Sequence, residues 1–137
     1  MKLISKNDPI SCITASEKSF LLAHNSGIIN QYGLPNAVLM HTIEPISSPG
    51  GVDISFRPSI GADVRALAFN QNCSRFAMID KSGRLFCYDF EANNDDTNRE
   101  GKWLSITKYQ DVWDIKWSSD HSDYLAIYEK NRVLILD

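Results

Sequence analysis

The residues in this chain that could do chemistry are few and scattered. His24, His41 and His121 are its only histidines. None stands near another His, a Cys or a carboxylate at the spacing of a metal shell, which needs three or four converging donors. His24 aligns with Asp80 and Glu129 at the hairpin end of a strand, which reads as a polar surface position. Asp95-Asp96 lies among acidic and amide neighbours but lacks the alternating oxygen ligands and the well-placed Gly of a calcium loop. Pro49-Gly50-Gly51 is followed by neither Lys-Ser nor Lys-Thr, so it does not cradle phosphate. Ser47-Ser48-Pro49 carries only a weak phospho-acceptor pattern. Cys12, Cys73 and Cys87 are odd in number and share no short metal-ligand spacing. Cys12 and Cys87 sit in apolar runs and read as small core residues. No catalytic, metal or cofactor residue is assigned on this reading, and no cofactor is expected.

Trp113 and Trp117 are the remaining candidates. They flank Ile115 on one face of a strand. One reading makes them anchors for a bound peptide on an exposed rim. The other buries them between packed sheets, where truncation to Ala costs a few kcal/mol. The second reading is preferred here, and binding residues stay unassigned.

These residues are positioned by a repeat. Phe20-Leu21-Leu22-Ala23-His24-Asn25-Ser26-Gly27-Ile28-Ile29-Asn30-Gln31-Tyr32 aligns without a gap on Phe76-Ala77-Met78-Ile79-Asp80-Lys81-Ser82-Gly83-Arg84-Leu85-Phe86-Cys87-Tyr88. A looser third copy runs from Leu125 to Leu134. Each copy reads as short strands and turns. Val64 to Phe69 alternates as a half-buried strand does, and Asn70 to Ser74 is a polar turn. Arg75 to Ile79 suits a strand buried on both faces. Asp80-Lys81-Ser82-Gly83 makes a hairpin in which Gly83 takes a positive φ. Leu85 to Tyr88 returns, and Trp103 to Thr107 is expected as an outer fourth strand. The first unit repeats this plan with Ile10 to Ala15, Phe20 to Ala23, Ile28 to Tyr32 and Ala37 to Thr42. The third begins it with Val112 to Trp117, Tyr124 to Tyr128 and Val133 to Leu136.

Four-stranded units every ~40–50 residues are the blades of a β-propeller. The expected fold is therefore all-β: a partial WD-repeat propeller of two four-stranded antiparallel blades and a truncated third. The units span about 9–44, 62–109 and 111–137, with loops at 45–61 and 91–101. The WD signature is decayed. Tyr88-Asp89 and Tyr32-Gly33 stand where Trp-Asp usually closes the third strand, and Ser26, Ser82 and Asn131 replace the hairpin Asp. Trp113-Asp114 is a decoy, because it falls in a first strand.

The net charge is −3 and no basic run occurs, so nucleic acid is not an expected partner. No apolar stretch is long enough to span a membrane. The N-terminal Met1 to Pro9 lacks the apolar region of a signal peptide, which reads as cytosolic. Closed propellers use four to eight blades, so an arc of this length leaves two uncovered ends and implies marginal stability or self-association.

The wording of several motifs is more specific. Asp111-Val112-Trp113-Asp114-Ile115-Lys116-Trp117, followed by Asp123, Ala126, Glu129-Lys130 and Arg132, resembles the family of WD-repeat protein thirty-five, a subunit of intraflagellar transport complex A. Pro9 to Ser16, Ser26 to Tyr32 with Leu34-Pro35-Asn36, Asn72 to Arg75, and Ile79-Asp80 with Ser82-Gly83 continue the likeness through nearly the whole chain. The stretch from His41 to Gly61 is longer than the family pattern. The resemblance implies part of the second of two propellers and a non-enzymatic scaffold. It further implies other complex A subunits as partners, with retrograde transport, cilium assembly and ciliary entry of membrane cargo as the setting. The implied location is the cilium and cytoplasm. Alternatives are a coat-like vesicle-trafficking scaffold and a peptide-binding adaptor.

Overall fold

The computed structural model describes residues 8–44, 63–94, 99–104 and 111–136, the side chains of 92–94 and 99–100 excepted. The described residues hold eleven strands and no helix. Blade one comprises β1 (Ile10–Ala15), β2 (Ser19–His24), β3 (Ile29–Gly33) and β4 (Val38–Ile43). Blade two comprises β5 (Val64–Phe69), β6 (Arg75–Asp80), β7 (Leu85–Asn94) and β8 (Arg99–Trp103). Blade three holds β9 (Val112–Trp117), β10 (Leu125–Glu129) and β11 (Val133–Leu136). Each blade is an antiparallel meander in sequence order, which short hairpin turns permit.

The repeat fixes the register. Phe20 pairs with Tyr32, Phe76 with Tyr88 and Leu125 with Leu136, so matching residues occupy matching places in the three sheets. Alternation then divides each blade into a front face, toward the preceding blade, and a rear face, toward the next. In β6, Phe76 and Met78 face blade one while Ala77 and Ile79 face blade three. All four are fully buried, as the continuous apolar run requires.

The turns carry the expected chemistry with one change. Gly27 and Gly83 both take positive φ, at 96° and 83°. A side chain at Gly83 would also meet the backbone of Asp111 at 3.1 Å, because the Gly83 carbonyl accepts from the Val112 N–H at 2.9 Å. This hairpin therefore also docks blade three. Its cap is Asp80 rather than Ser82: Asp80 Oδ1 accepts from the N–H groups of Ser82 and Arg84 at 2.9 and 3.0 Å. A carboxylate has the reach and charge to hold both donors, which a hydroxyl lacks.

Two expectations are corrected. The fourth strand of blade two is Arg99–Trp103 rather than Trp103 to Thr107, of which 105–107 lie outside the described residues. Correspondingly β7 runs on to Asn94, and Asn93 pairs with Glu100 and Asn94 with Arg99 within the span read as a loop. The sequence of this span is polar throughout and shows no apolar alternation, so composition hid its strands. The span 45–61 and Asp95-Asp96 lie outside the described residues.

Each first strand carries a β-bulge. Ser11, Arg65 and Trp113 are the extra residues, between Ile10 and Cys12, between Val64 and Ala66, and between Val112 and Asp114. A bulge shifts side-chain parity by one. Val64 and Leu67 can thus both be buried on one face three residues apart, as can Val112 and Ile115.

Candidate functional site

The histidines do not converge. His24 is buried, not superficial: its Nδ1 lies 3.2 Å from the Asp8 carbonyl and its Nε2 lies 3.5 Å from Asn30 Nδ2. Asp8 lies over it, its Oδ2 accepting from the Ser26 hydroxyl at 2.7 Å. His41 stands at the seam between blades one and two, its ring 6.1 Å from Phe90. His121 packs against Tyr124 on an exposed turn of blade three. Among the described residues no three His, Cys, Asp or Glu side chains group as a metal site.

The three cysteines are free thiols. Cys87 is buried on the rear face of blade two, and burial pushes its thiol up to about 12. Burial also raises Cys12, whose Sγ lies 3.8 Å from the Arg65 carbonyl. Both groups stay protonated at neutral pH, so neither offers a thiolate nucleophile.

The two tryptophans part company. Trp117 packs into the core between blades two and three, and its indole N–H donates to the Ala68 carbonyl at 2.9 Å. It is a structural bridge between blades. Trp113 is not buried: 57% of it is exposed. The bulge turns it off the Ile115–Trp117 face, and it packs on Tyr128 at 5.6 Å, with its N–H donating to the Glu129 carbonyl at 3.0 Å. The expectation of a core role fails for Trp113 because strict alternation was assumed across a bulge.

Repeat equivalence gives that exposure a meaning. Trp113 stands where Arg65 stands in blade two, and Arg65 Nη2 donates to the Val112 carbonyl at 2.9 Å across the seam. In blade two the bulge residue thus reaches for the next blade, whereas the Ser11 hydroxyl donates to the Ala23 carbonyl at 3.3 Å within blade one. Val133 and Ile135 share the exposed rear face of blade three, at 56% and 67%. On the front face of blade one, Ile10 and Ile13 are exposed at 54% and 61%. These two apolar faces match, position for position, faces that are buried inside the arc.

The seam between blades two and three carries a polar clasp at one end. Arg75 Nε donates to Asp89 Oδ2 at 3.1 Å, and its Nη1 lies 3.2 Å from Asp123 Oδ1 of blade three. Asn70 Nδ2 donates to the Ser122 carbonyl at 2.9 Å, and the Ser122 hydroxyl donates to Gln71 Oε1 at 3.0 Å. Beside the clasp lies a cavity of about 250 Å³, lined by Arg75, Cys87, Leu104, Trp117, Asp123, Leu125 and Leu136. Nothing in the spacing of these residues along the chain announced it. Only the register of two sheets brings them together.

The arrangement can present surfaces at its exposed end faces. Among the described residues no helix is long and apolar enough to cross a membrane. Two solved structures share the fold. The structure of U3-55K matches with a TM-score of 0.63 at 13% identity, covering 97% of this chain and 37% of that one. The C-terminal WD40 domain of Sif2 matches with a TM-score of 0.57 at 10% identity, covering 93% of this chain and 34% of that one. Curated relatives match in sequence. WD repeat-containing protein 35 of Homo sapiens is 35% identical over 131 residues, and that of Rattus norvegicus is 33% identical over the same length. Each alignment covers 93% of this chain and 10% of the relative, so the chain spans a tenth of the proteins it matches. The WDR35 second beta-propeller family matches residues 1–137. The likeness read from Asp111 to Trp117 and its upstream companions is thereby accounted for, and this chain of bladed sheets belongs to the WDR35 second beta-propeller family.

Proposed function

We propose that the chain serves as a non-catalytic WD-repeat scaffold within a WDR35-type subunit of the ciliary transport machinery, intraflagellar transport complex A. The observation that carries this reading is the family match along all 137 residues. The bladed architecture supports it, since rigid sheets that consume their interior residues in packing leave loops and end faces for partners. The partners in this reading are other subunits of the complex. The setting is retrograde transport, cilium assembly and entry of membrane cargo into the cilium, and the location is the cilium and its cytoplasmic base.

The experiment is capture of a tagged full-length subunit from ciliated cells, with and without this segment, followed by identification of co-purifying proteins. Complex A subunits should be recovered with the intact protein and depleted without the segment. Recovery of vesicle-coat components in their place would sink the ciliary reading in favour of a coat-like scaffold.

A further inference from the structure

The turn from Ser118 to Tyr124 is where blade three grips blade two with side chains. It is closed by the Ser118 N–H, which donates to the Tyr124 carbonyl at 2.9 Å. The Ser118 hydroxyl caps its start, accepting from the N–H groups of Asp120 and His121, both at 3.1 Å. Ser122 faces the neighbouring blade. Its carbonyl accepts from Asn70 Nδ2 at 2.9 Å, and its hydroxyl donates to Gln71 Oε1 at 3.0 Å. Next in the chain, Asp123 Oδ1 lies 3.2 Å from Arg75 Nη1, while Arg75 Nε is given to Asp89. Other serine hydroxyls are spent locally: Ser11 on the Ala23 carbonyl, Ser16 on the Ser19 carbonyl, Ser26 on Asp8 and Ser74 on Asn72. Among the hydrogen bonds of the described residues, Ser122 is the serine whose hydroxyl spans a seam.

We propose that Ser122 is a phosphorylation site that loosens the seam between blades two and three. Ser119, Asp120, His121, Asp123 and Tyr124 are exposed and Ser122 is half-buried, so the turn offers an accessible acceptor. Asp120 and Asp123 flank it, a charge pattern that a kinase with a basic substrate groove selects. Such a kinase moves the γ-phosphoryl group of ATP onto Ser122 Oγ. The bond from the γ-phosphorus to its bridging oxygen breaks, an Oγ–P bond forms, ADP leaves and the hydroxyl proton passes to the kinase's base. The ester has lost the donor that Gln71 Oε1 accepts from, and it carries about −1.5 to −2 charges at neutral pH. Arg75 is already shared there between two carboxylates, Asp89 and Asp123. The phosphate therefore joins a cluster that is negative before it arrives and repels the Asp123 carboxylate that crosses the seam. At the other end of the seam the Arg65 link to the Val112 carbonyl is untouched, so the blades loosen at one end without parting. The inference rests on this seam and not on which complex the chain joins.

The test places phosphoserine at position 122, or at position 119, of the chain by genetic-code expansion. The readout is hydrogen exchange at the Trp117 indole N–H, which donates across the same end of the seam. Phosphoserine at 122 should speed that exchange about tenfold and leave the amides of β2 and β3 unchanged. Phosphoserine at 119 puts the same charge in the same turn without a cross-seam bond, and should speed it less than about twofold. Ser122→Ala loses the bond and adds no charge, so it should fall between, at about threefold. Equal effects at 119 and 122 would overturn the proposal, as would unchanged or slower exchange with phosphoserine at 122. Protection lost throughout blade one would also overturn it, since the change would then be global unfolding and not a loosened seam. The second arm is mass spectrometry of the full-length protein recovered from cells with phosphatases inhibited. Phosphate on Ser122 is the expected result, and a fully covered peptide that is always unmodified would remove the site.

Discussion

The two seams of this arc have the same backbone plan and different fillings. Between blades one and two the core is aromatic: Phe76, Phe86, Tyr88 and Trp103 meet edge to face at 5.1 to 6.3 Å, with Phe90 closing the end. Between blades two and three the core is aliphatic, built on Ile79, Leu85, Ile115, Leu125 and Ile127. Rings cover large areas with few rotatable bonds. The second seam keeps a void and is held instead by polar links that cross it, from Arg65, Asn70, Arg75 and Trp117. The comparison teaches that a blade repeat preserves register before it preserves chemistry.

The sharpest way to break this comparison is to truncate the matched residues Phe76 and Leu125. Both are fully buried at the front of their second strands. Phe76→Ala removes the ring that touches Tyr88, Phe90 and Trp103 and should cost about 3–5 kcal/mol. Leu125→Ala opens onto an existing cavity and should cost about 2–4 kcal/mol. Urea unfolding of both variants gives the difference. A larger loss for Leu125→Ala would show that the aliphatic seam is the better packed of the two, contrary to the geometry.

The next effect belongs to Trp117. Trp117→Ala removes a half-buried ring and the cross-seam hydrogen bond to Ala68, and should cost about 2–3 kcal/mol. Trp117→Phe keeps most of the contact and loses only the donor, so it should cost about 1 kcal/mol. If thermal melts place the two variants together, the hydrogen bond and not the ring holds the seam.

These residues also show how far the sequence was readable. Phe20, Ser26-Gly27 and Tyr32, repeated at Phe76, Ser82-Gly83 and Tyr88, disclosed the hairpins, because turn chemistry and a buried pair leave marks at fixed spacing. The strand bounds followed to within a residue in blade one. The bulges left no such mark. Their extra residues are Ser11, Arg65 and Trp113, which share no side-chain property, since a bulge is a matter of backbone count. Without the bulge, Trp113 lined up with Ile115 and was read as core. His24 was read as surface because the contact that buries it comes from Asp8, across a turn that sequence spacing does not reveal. The cavity was illegible for a related reason: its walls come from β6, β7, β9, β10 and β11 and the end of β8, and meet only once two sheets are stacked.

The second seam should also weaken in alkali. Cys87 lies on the second seam with its thiol raised from 9.0 to about 12 by burial. Its neutral form is the folded form, so its stabilisation is complete below pH 9, where the unfolded thiol is still protonated. It is lost progressively as pH climbs from 9 toward 12. By pH 10 the loss should be about 1.4 kcal/mol. Cys12 and Tyr88 are raised in the same direction, so wild type alone does not isolate the effect. The measurement is the difference between wild type and Cys87→Ala from pH 8 to 10. Parallel stability curves would show that Cys87 ionises freely and that the second seam is open to water.

The smallest expected effect is at Trp113, and it probes what the seams are for. The ring is mostly exposed and gains one contact with Tyr128 and one hydrogen bond to Glu129, both within its own blade. Trp113→Ala should therefore change the stability of this chain by about 0.5 kcal/mol or less, as surface substitutions do. Its counterpart Arg65 spans a seam, so Arg65→Ala should cost more, about 1–2 kcal/mol for a lost charge-assisted hydrogen bond. The contrast turns on whether a blade stands behind the bulge. In a longer chain that places one against Trp113, the same substitution should become as costly as a buried truncation, about 3 kcal/mol. A Trp113→Ala effect that stays small in both settings would show that this ring never joins a seam. It would then be free to anchor a bound peptide, the role first weighed for it from the sequence.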